Sequence, residues 1–514
     1  MPSTSTSPTS APSALSNSLA RDRIGAPGIG LAIASSVAPL TVVAGVVTTA
    51  IAVTGLTAVS AAMLAVAFAL ILFAIGYVAM ARHITNTGAF YAYVSKGLGR
   101  PLGVGASWIA LLSYNAFQVA SYGGFGFIIA PLVQSWFGVD LPWWVFAAVA
   151  WAIVAYLGQR DVSVSEKVLA VLVISETLLV IVYAVAIFTS QGFQFDGGAW
   201  DFAQVFGAGG GALLAVAATG FAGVEQGAVY IEESKDPKRS VARATFATIV
   251  LIALLYSVAS WVQISAAGDQ VVDRARAEGP NMFFIQAGGL GDWTVDVGNL
   301  LFATSLLAAM IAFHNIIARY TYALGREGVL PTVFGRTVGG APRNASFAQS
   351  AFALLVILVY LIGGFDPLVQ LFFWGGTTGG VGVLLLITLT SIAVIGFFLR
   401  GGHGESLWRR FIAPVIATAL LLVISYLAVT NLSTLFGVEP NTGPALVMPI
   451  VALVVLVAGI VWGLILRSSK PEVYAGIGLG PDSAIAAKGS GGGFAAMMAE
   501  SGNDSGPDSS RDRT

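Results

Sequence analysis

The chain has 514 residues, 56% of them hydrophobic and only 10% charged, with a formal net charge of −1, 61 Gly and no Cys. An ordinary soluble protein is excluded, because a water-facing surface needs about 25% charged residues and the mean hydropathy here is +0.83; lipid must cover much of the chain. Its 30 Phe, 11 Trp and 14 Tyr exclude wholesale disorder. The absent thiols exclude disulfides and thiolate metal sites, and the charge balance gives no reason to expect a nucleic-acid partner.

Residues 1–23 are expected to be a disordered cytoplasmic tail, rich in Ser, Thr, Pro and Ala. No apolar core follows a basic cluster there, so it does not read as a signal peptide. A helix that crosses hydrocarbon needs about 20 apolar residues. Twelve stretches qualify: 29–53, 58–80, 102–133, 142–159, 167–189, 207–231, 241–264, 297–322, 346–363, 367–396, 411–430 and 444–466. The fold class is therefore all-α, a polytopic membrane protein with a transmembrane domain over 24–467. Residues 468–514, rich in Gly, Ser and Asp, read as a second disordered cytoplasmic tail.

Lys and Arg are retained on the cytoplasmic side of a membrane. With the N-terminus inside, the inner segments carry nearly all of them, Arg82, Lys96, Arg100, Lys235, Arg326 and Arg400 among others, whereas the outer loops hold Arg274 and Arg276 among many acids. Both ends are then cytoplasmic, and an odd number of spans would scramble the sorting. The longest outer loop, about 265–296, is read as a connector or as a lid with a short helix.

Two spans carry breakers at mid-depth, where an open backbone must be buried in protein or line a wet cavity. The first contains Ser35, Ser36, Pro39, Leu40 and Thr41; the sixth contains Thr219, Gly220, Phe221, Gly223 and Glu225. Their separation by five spans is the relation expected of two inverted repeats, about 29–189 and about 207–396, followed by two extra helices over about 411–466. Opened helix ends offer N–H groups to a carboxylate and C=O groups to an ammonium. Span 10 adds the run Gly375-Gly376-Thr377-Thr378-Gly379-Gly380, either a hinge or a close helix crossing.

Three stretches resemble the amino acid/polyamine/organocation permease superfamily: Thr85 to Val94 with Gly97 and Arg100-Pro101-Leu102-Gly103; Gly220 to Glu225 running on through Glu232-Glu233-Ser234-Lys235; and Ala323-Leu324-Gly325-Arg326-Glu327-Gly328-Val329-Leu330-Pro331. The resemblance, closest to actinobacterial-type amino acid permeases, implies a LeuT-type fold of two inverted five-helix repeats, alternating access, and a substrate enclosed by spans 1, 3, 6, 8 and 10. Pro39-Leu40-Thr41 stands where the family usually has a Gly-x-Gly run that binds a carboxylate, a form similar to some putrescine-type importers; an amine substrate is left open. Phe313 matches a family position that stacks on substrate; Phe221 is a gating candidate or a core residue.

Three polar groups inside apolar spans are the candidates for proton coupling. An acid at mid-membrane costs about 2.5 to 3.5 kcal/mol on insertion scales, so Glu225 and Glu176 are expected to face the protein interior. Glu225 reads as a proton or ammonium site, or as a hydrogen-bond partner of span 1; Glu176 as a proton site, a partner of His314, or an acceptor of a backbone N–H. His314 is a titratable candidate or a packing residue. Tyr114, Asn115 and Gln118 are the polar candidates of span 3. Ser163 to Glu166 fits a capping box, and Asn344-Ala345-Ser346 is a chance sequon on the inner side.

The expected function is secondary active transport of an amino acid or related amine across the plasma membrane, as proton-coupled import; exchange is the alternative, with a sensor or channel behind it. Substrate-binding candidates are Ser35, Ser36, Pro39, Leu40, Thr41, Gln118, Thr219, Gly220, Phe221, Gly223 and Phe313. No enzyme activity, metal or cofactor is expected, since no Walker loop, paired-His motif or nucleophile elbow occurs. The partners are the substrate, a proton and the bilayer; the oligomeric state is open.

Overall fold

A computed structural model describes Leu19 and residues 22–483, except 85, 161, 191, 192, 402 and 403 and the side chains of 162–164 and 166. Most of the two expected tails, His403 and the side chains of the proposed Ser163–Glu166 capping box lie outside the described residues. Among the described residues there is no strand, only isolated bridges at Ile24–Ser234 and Val338–Ala341.

Among the described residues, eleven helices are long and apolar enough to cross a membrane. The remaining expected span, span 4, is the apolar helix Trp143–Gly158, whose 16 residues rise about 24 Å. Spans 1 to 3 are Ala26–Thr54, Val59–Ala81 and Arg100–Phe137; spans 5 and 6 are Lys167–Phe188 and Gly210–Glu233; span 7 starts at Pro237. Spans 8 to 12 are Trp293–Arg326, Arg343–Gly363, Pro367–Leu399, Trp408–Thr430 and Gly443–Ser469. Several run beyond the stretches expected from hydropathy, which registers the lipid-facing part of a helix and not the polar turns that continue it past the interface. The long loop before span 8 is helical in part, with Val271–Glu278 and Asn281–Gln286.

Burial sorts the spans into an inner and an outer set. Of the most apolar window in each, 94% is buried in span 6 and 6% in span 12, so the former is enclosed by protein and the latter faces outward nearly all round. Span 12 still approaches span 3 closely: a Cβ on Gly459 would lie 2.8 Å from Gly105 Cα, the backbone-to-backbone contact that small residues permit in lipid. The glycines of span 10 serve the same purpose. A Cβ on Gly379 would meet the Phe117 ring at 2.6 Å and one on Gly380 would meet Thr219 at 2.7 Å, while the helix runs unbroken over Trp374–Leu399. Gly379 and Gly380 thus mark a close crossing of span 10 with spans 3 and 6, whereas Gly376 meets nothing within 4 Å.

Both ends of the described chain lie on one face. There the backbone of Arg23 and Ile24 donates to the Glu233 carbonyl, at 2.9 and 3.1 Å, and Lys235 N–H donates to Ile24 at 3.0 Å. Residues 470–483, read from sequence as the start of a featureless tail, are instead folded onto this face. Pro471–Gly476 is helical, Ile477 is buried, and the Gly478 and Gly480 amides donate to the Glu327 carboxylate at 2.6 and 2.8 Å. Tyr91 and Asn86 donate to the same carboxylate at 2.6 and 2.8 Å. Burial pushes the Glu327 carboxyl above its ordinary range, against the opposing pull of Tyr91, Arg326 and the two amides. Removing the acceptor leaves buried donors unmet, at about 1–3 kcal/mol each. Glu327→Ala is expected to release the segment, and limited proteolysis should then cut within 470–483 at least several-fold faster than in the parent protein.

Candidate functional site

The first span cannot run straight. Pro39 has no amide N–H to give to Ser35, and the preceding Ala38 sits at φ 51°, the left-handed region. The helix therefore ends at Val37 and resumes through a π-helical turn over Thr41–Val46, a form common at functional sites. Span 6 is interrupted by turns between Thr219 and Val224, with Gly223 at φ 115°. The two breaks touch: a Cβ on Gly223 would fall 2.9 Å from Ser36 Cβ and 3.2 Å from Ser36 C. Ser36 also shares a short hydrogen bond with Gln226.

A buried carboxylate stands at each break. Leu40 N–H, the first amide beyond the proline, donates to Glu176 Oε2 at 3.3 Å. Gly223 N–H donates to Glu225 Oε2 at 2.9 Å, and Tyr114 OH to Glu225 Oε1 at 2.7 Å. Thr41 hydroxyl donates to Ser305 of span 8 at 3.0 Å. Glu176 accepts from the Leu40 backbone N–H and does not pair with His314. His314 lies elsewhere, with Nε2 at 2.8 Å from Ser346 Oγ and Nδ1 at 3.4 Å from Gln118 Nε2.

A cavity of about 140 Å³ opens against the breaks. Span 1 contributes Ser36, Thr41 and Thr49; span 3 contributes Phe117 and Ser121; Thr219 of span 6 and Phe313 of span 8 complete the middle. Phe117 and Phe313 are parallel, with centroids 5.0 Å apart and planes at 5°. Phe372, Phe373 and Thr377 of span 10 close one side, and Leu435 lies at the far end. Ser36 and Thr49 are separated by about 20 Å of helical rise, so the space runs from mid-depth toward the face opposite the chain ends. On the terminal side two ion pairs join spans 6 and 8. Arg319 holds Glu233 through two hydrogen bonds of 2.6 and 3.0 Å, and Arg326 holds Glu232 through two of 2.7 and 2.8 Å.

The expected residues are thus divided. Ser36, Thr41, Thr219 and Phe313 line the cavity. Pro39, Leu40, Gly220 and Gly223 shape the breaks without forming its wall, and Ser35 turns its hydroxyl back to Leu31 at 2.7 Å. Gln118 does not line the cavity. It belongs with His314, Asn115 and Gln349 in a buried polar cluster between spans 3, 8 and 9, where Gln349 Nε2 donates to Gln118 at 2.6 Å and to Asn115 at 2.7 Å. Phe221 packs on Tyr256, ring centroids 5.6 Å apart, and is also off the wall. Phe117 and Ser121 were missed from sequence. They lie one helical turn apart on one face of span 3, and that shared spacing is the signal that could have found them.

The three sequence stretches that carried the resemblance meet on the terminal face. Asn86 and Tyr91 reach Glu327, and Thr87 N–H joins Arg326 on Glu232 at 3.0 Å. The sequence pattern of the family described as amino acid permease matches residues 26–463. Among characterised proteins, the chain is 25% identical over 375 residues to the low-affinity putrescine importer of Escherichia coli K12, covering 69% of this chain and 76% of that one. It is 24% identical over 375 residues to the lysine-specific permease of the same organism, covering 67% and 74%. A histidine permease of Lactococcus lactis is 24% identical over 415 residues, covering 74% and 83%.

Proposed function

The chain belongs to the amino acid permease family, and from that membership we propose that it imports an amino acid or related amine across the plasma membrane together with a proton, by alternating access. The observation that carries the reading is the meeting of two broken helices, each with a buried carboxylate on an amide of the break, at a cavity whose lining runs from the breaks toward the face opposite the chain ends. In this reading the described conformation is the outward-facing one: the chain ends and the Lys- and Arg-rich loops are cytoplasmic, and the Arg319–Glu233 and Arg326–Glu232 pairs are the closed inner gate. Substrate binds between Ser36, Thr41, Thr219 and Phe313. Protonation of Glu225 or Glu176 loosens its hold on Gly223 or Leu40, because a neutral carboxyl accepts a weaker hydrogen bond than an ionised one; the breaks are then free to rearrange and the inner gate to open. His314 stays in the buried cluster with Gln118 and does not line the cavity.

Uptake into proteoliposomes tests this, with pH and sodium gradients imposed separately and a panel of amino acids, polyamines and short amines offered. Accumulation driven by the pH gradient is expected, falling at least tenfold in Glu225→Gln. Accumulation driven by sodium alone, or unchanged coupling in both Glu225→Gln and Glu176→Gln, would remove the two acids from the mechanism. Uptake that requires substrate preloaded inside the vesicles would make the protein an exchanger.

A further inference from the structure

We infer that residues 470–483 act as an internal ligand of the terminal face, and that their seating there holds the inner gate shut. The inference rests on the reading of Arg319–Glu233 and Arg326–Glu232 as that gate and goes beyond it. The family pattern ends at residue 463, so the segment lies outside what that pattern covers. It does not line the cavity, and any hold on the gate must pass through the residues that it touches. Its seat is built from three parts of the fold. Arg100, which opens span 3, donates to the Ala475 carbonyl at 3.0 Å and lies over the Tyr474 ring, 5.2 Å from its centroid. Past the end of span 8, Gly328 lies so near Val473 that a Cβ there would come within 3.1 Å of it. In the helix Phe90–Gly97, Ser95 faces Gly478, where a Cβ would stand 2.9 Å from the serine Cβ. Glu327, buried, takes the Gly478 and Gly480 amides.

Glu327 belongs to a closed ring of contacts that includes the gate. It accepts from Asn86, and the next residue, Thr87, donates its backbone N–H to Glu232 of span 6 at 3.0 Å. Glu232 accepts in turn from Arg326, the chain neighbour of Glu327. The Asn86 side chain also shapes its own strap by accepting from Gly88 N–H at 2.9 Å. Span 6 can therefore part from span 8 only if Thr87 releases Glu232 or travels with it, and Thr87 is anchored through Asn86 to Glu327. Among the described residues, two of the four hydrogen-bond donors on that carboxylate come from the segment and two from the strap. With the segment gone, a buried charge keeps half of its hydrogen bonds, a state relieved only by admitting water or by moving the strap. With the segment seated the ring is complete. The segment thus favours the closed inner gate as any ligand favours the conformation it binds better.

The chain has no Cys, so a single Ala222→Cys on the cavity wall provides one labelling site. In sealed proteoliposomes sorted so that the terminal face points outward, an impermeant maleimide reaches that thiol only through the inner gate. Ending the chain after Ser469 is expected to speed labelling by about fivefold or more. Gly478→Pro in the full chain, which removes one of the two amides and leaves every other residue in place, should do the same. A synthetic peptide of residues 470–483, added at millimolar concentration to stand in for the lost tether, should return the shortened protein to the parental rate, whereas a scrambled peptide of the same composition should not. Thermal unfolding in detergent identifies which variants are folded. Parental labelling in a folded variant, or fast labelling that the peptide does not slow, overturns the inference. The Arg319→Met, Glu233→Met protein separates this outcome from failure of the gate reading. Fast labelling there, with loss of the segment alone changing nothing, keeps the gate and removes the segment's hold on it; slow labelling there means that this ion pair is not the gate.

Discussion

Gly223→Ala is expected to destabilise the protein by about 2–6 kcal/mol and to abolish uptake. A φ of 115° is a region that side-chain-bearing residues rarely occupy, at about 1–3 kcal/mol. The added methyl would also stand 2.9 Å from Ser36 Cβ, an overpacking of about 1–3 kcal/mol. Relief by backbone movement would pull the Gly223 amide from Glu225 and part the two breaks at their contact. Thermal unfolding in detergent measures the first effect and liposome uptake the second. A variant with parental stability and full uptake would show that the contact between the breaks is dispensable. Ala222→Ser, one residue away on the cavity wall, adds an oxygen without the backbone conflict and should leave stability within about 1 kcal/mol.

Arg319→Met is the second large effect. Arg319 and Glu233 are both buried, and the guanidinium meets the carboxylate with two nitrogens while lying over the Tyr230 ring, 4.8 Å from its centroid. Removing one member of a buried pair costs about 3–5 kcal/mol because the remaining charge has been taken from water with nothing to offset it. Glu233 is left in that position. Replacing both with similarly sized apolar groups, as in Arg319→Met with Glu233→Met, should restore most of the lost stability. Transport gives a different reading: with one of the two ion pairs between spans 6 and 8 gone and only Arg326–Glu232 left, the double variant is expected to leak substrate across the terminal face even if it folds as well as the parent. Tight vesicles containing a stable double variant would limit the pair to a structural role.

Much of this architecture was legible because lipid imposes simple demands. Length and apolarity mark a span, and Pro39, Gly220 and Gly223 mark where a helix must break. Glu225 could be placed in the broken span from sequence, but its partners could not: the hydrogen bond expected with span 1 is replaced by the Gly223 amide of its own span and by Tyr114 of span 3. The lining of span 3 could not be read in the same way. Gln118 and Phe117 are adjacent and differ by about 100° around the helix, and polarity alone chose the wrong neighbour; the polar side chain had partners of its own in His314 and Gln349. Phe372 and Phe373 lie in the π-helical turn that opens span 10, over Pro367–Phe373, where ordinary helical spacing does not predict direction. Residues 470–483 looked like a tail because they are Gly-rich and polar. Their attachment runs through backbone amides, which every residue but proline possesses and which therefore leave no mark in composition.

The hold of Glu327 on Gly478 and Gly480 crosses 151 and 153 residues of sequence. During synthesis the carboxylate is made long before the amides that will cap it, and four further spans must be threaded into the bilayer in between. The terminal face is accordingly the last region of the protein to be completed. A nascent chain halted before residue 478 would carry every helix needed for the cavity and yet lack the clasp that finishes its underside.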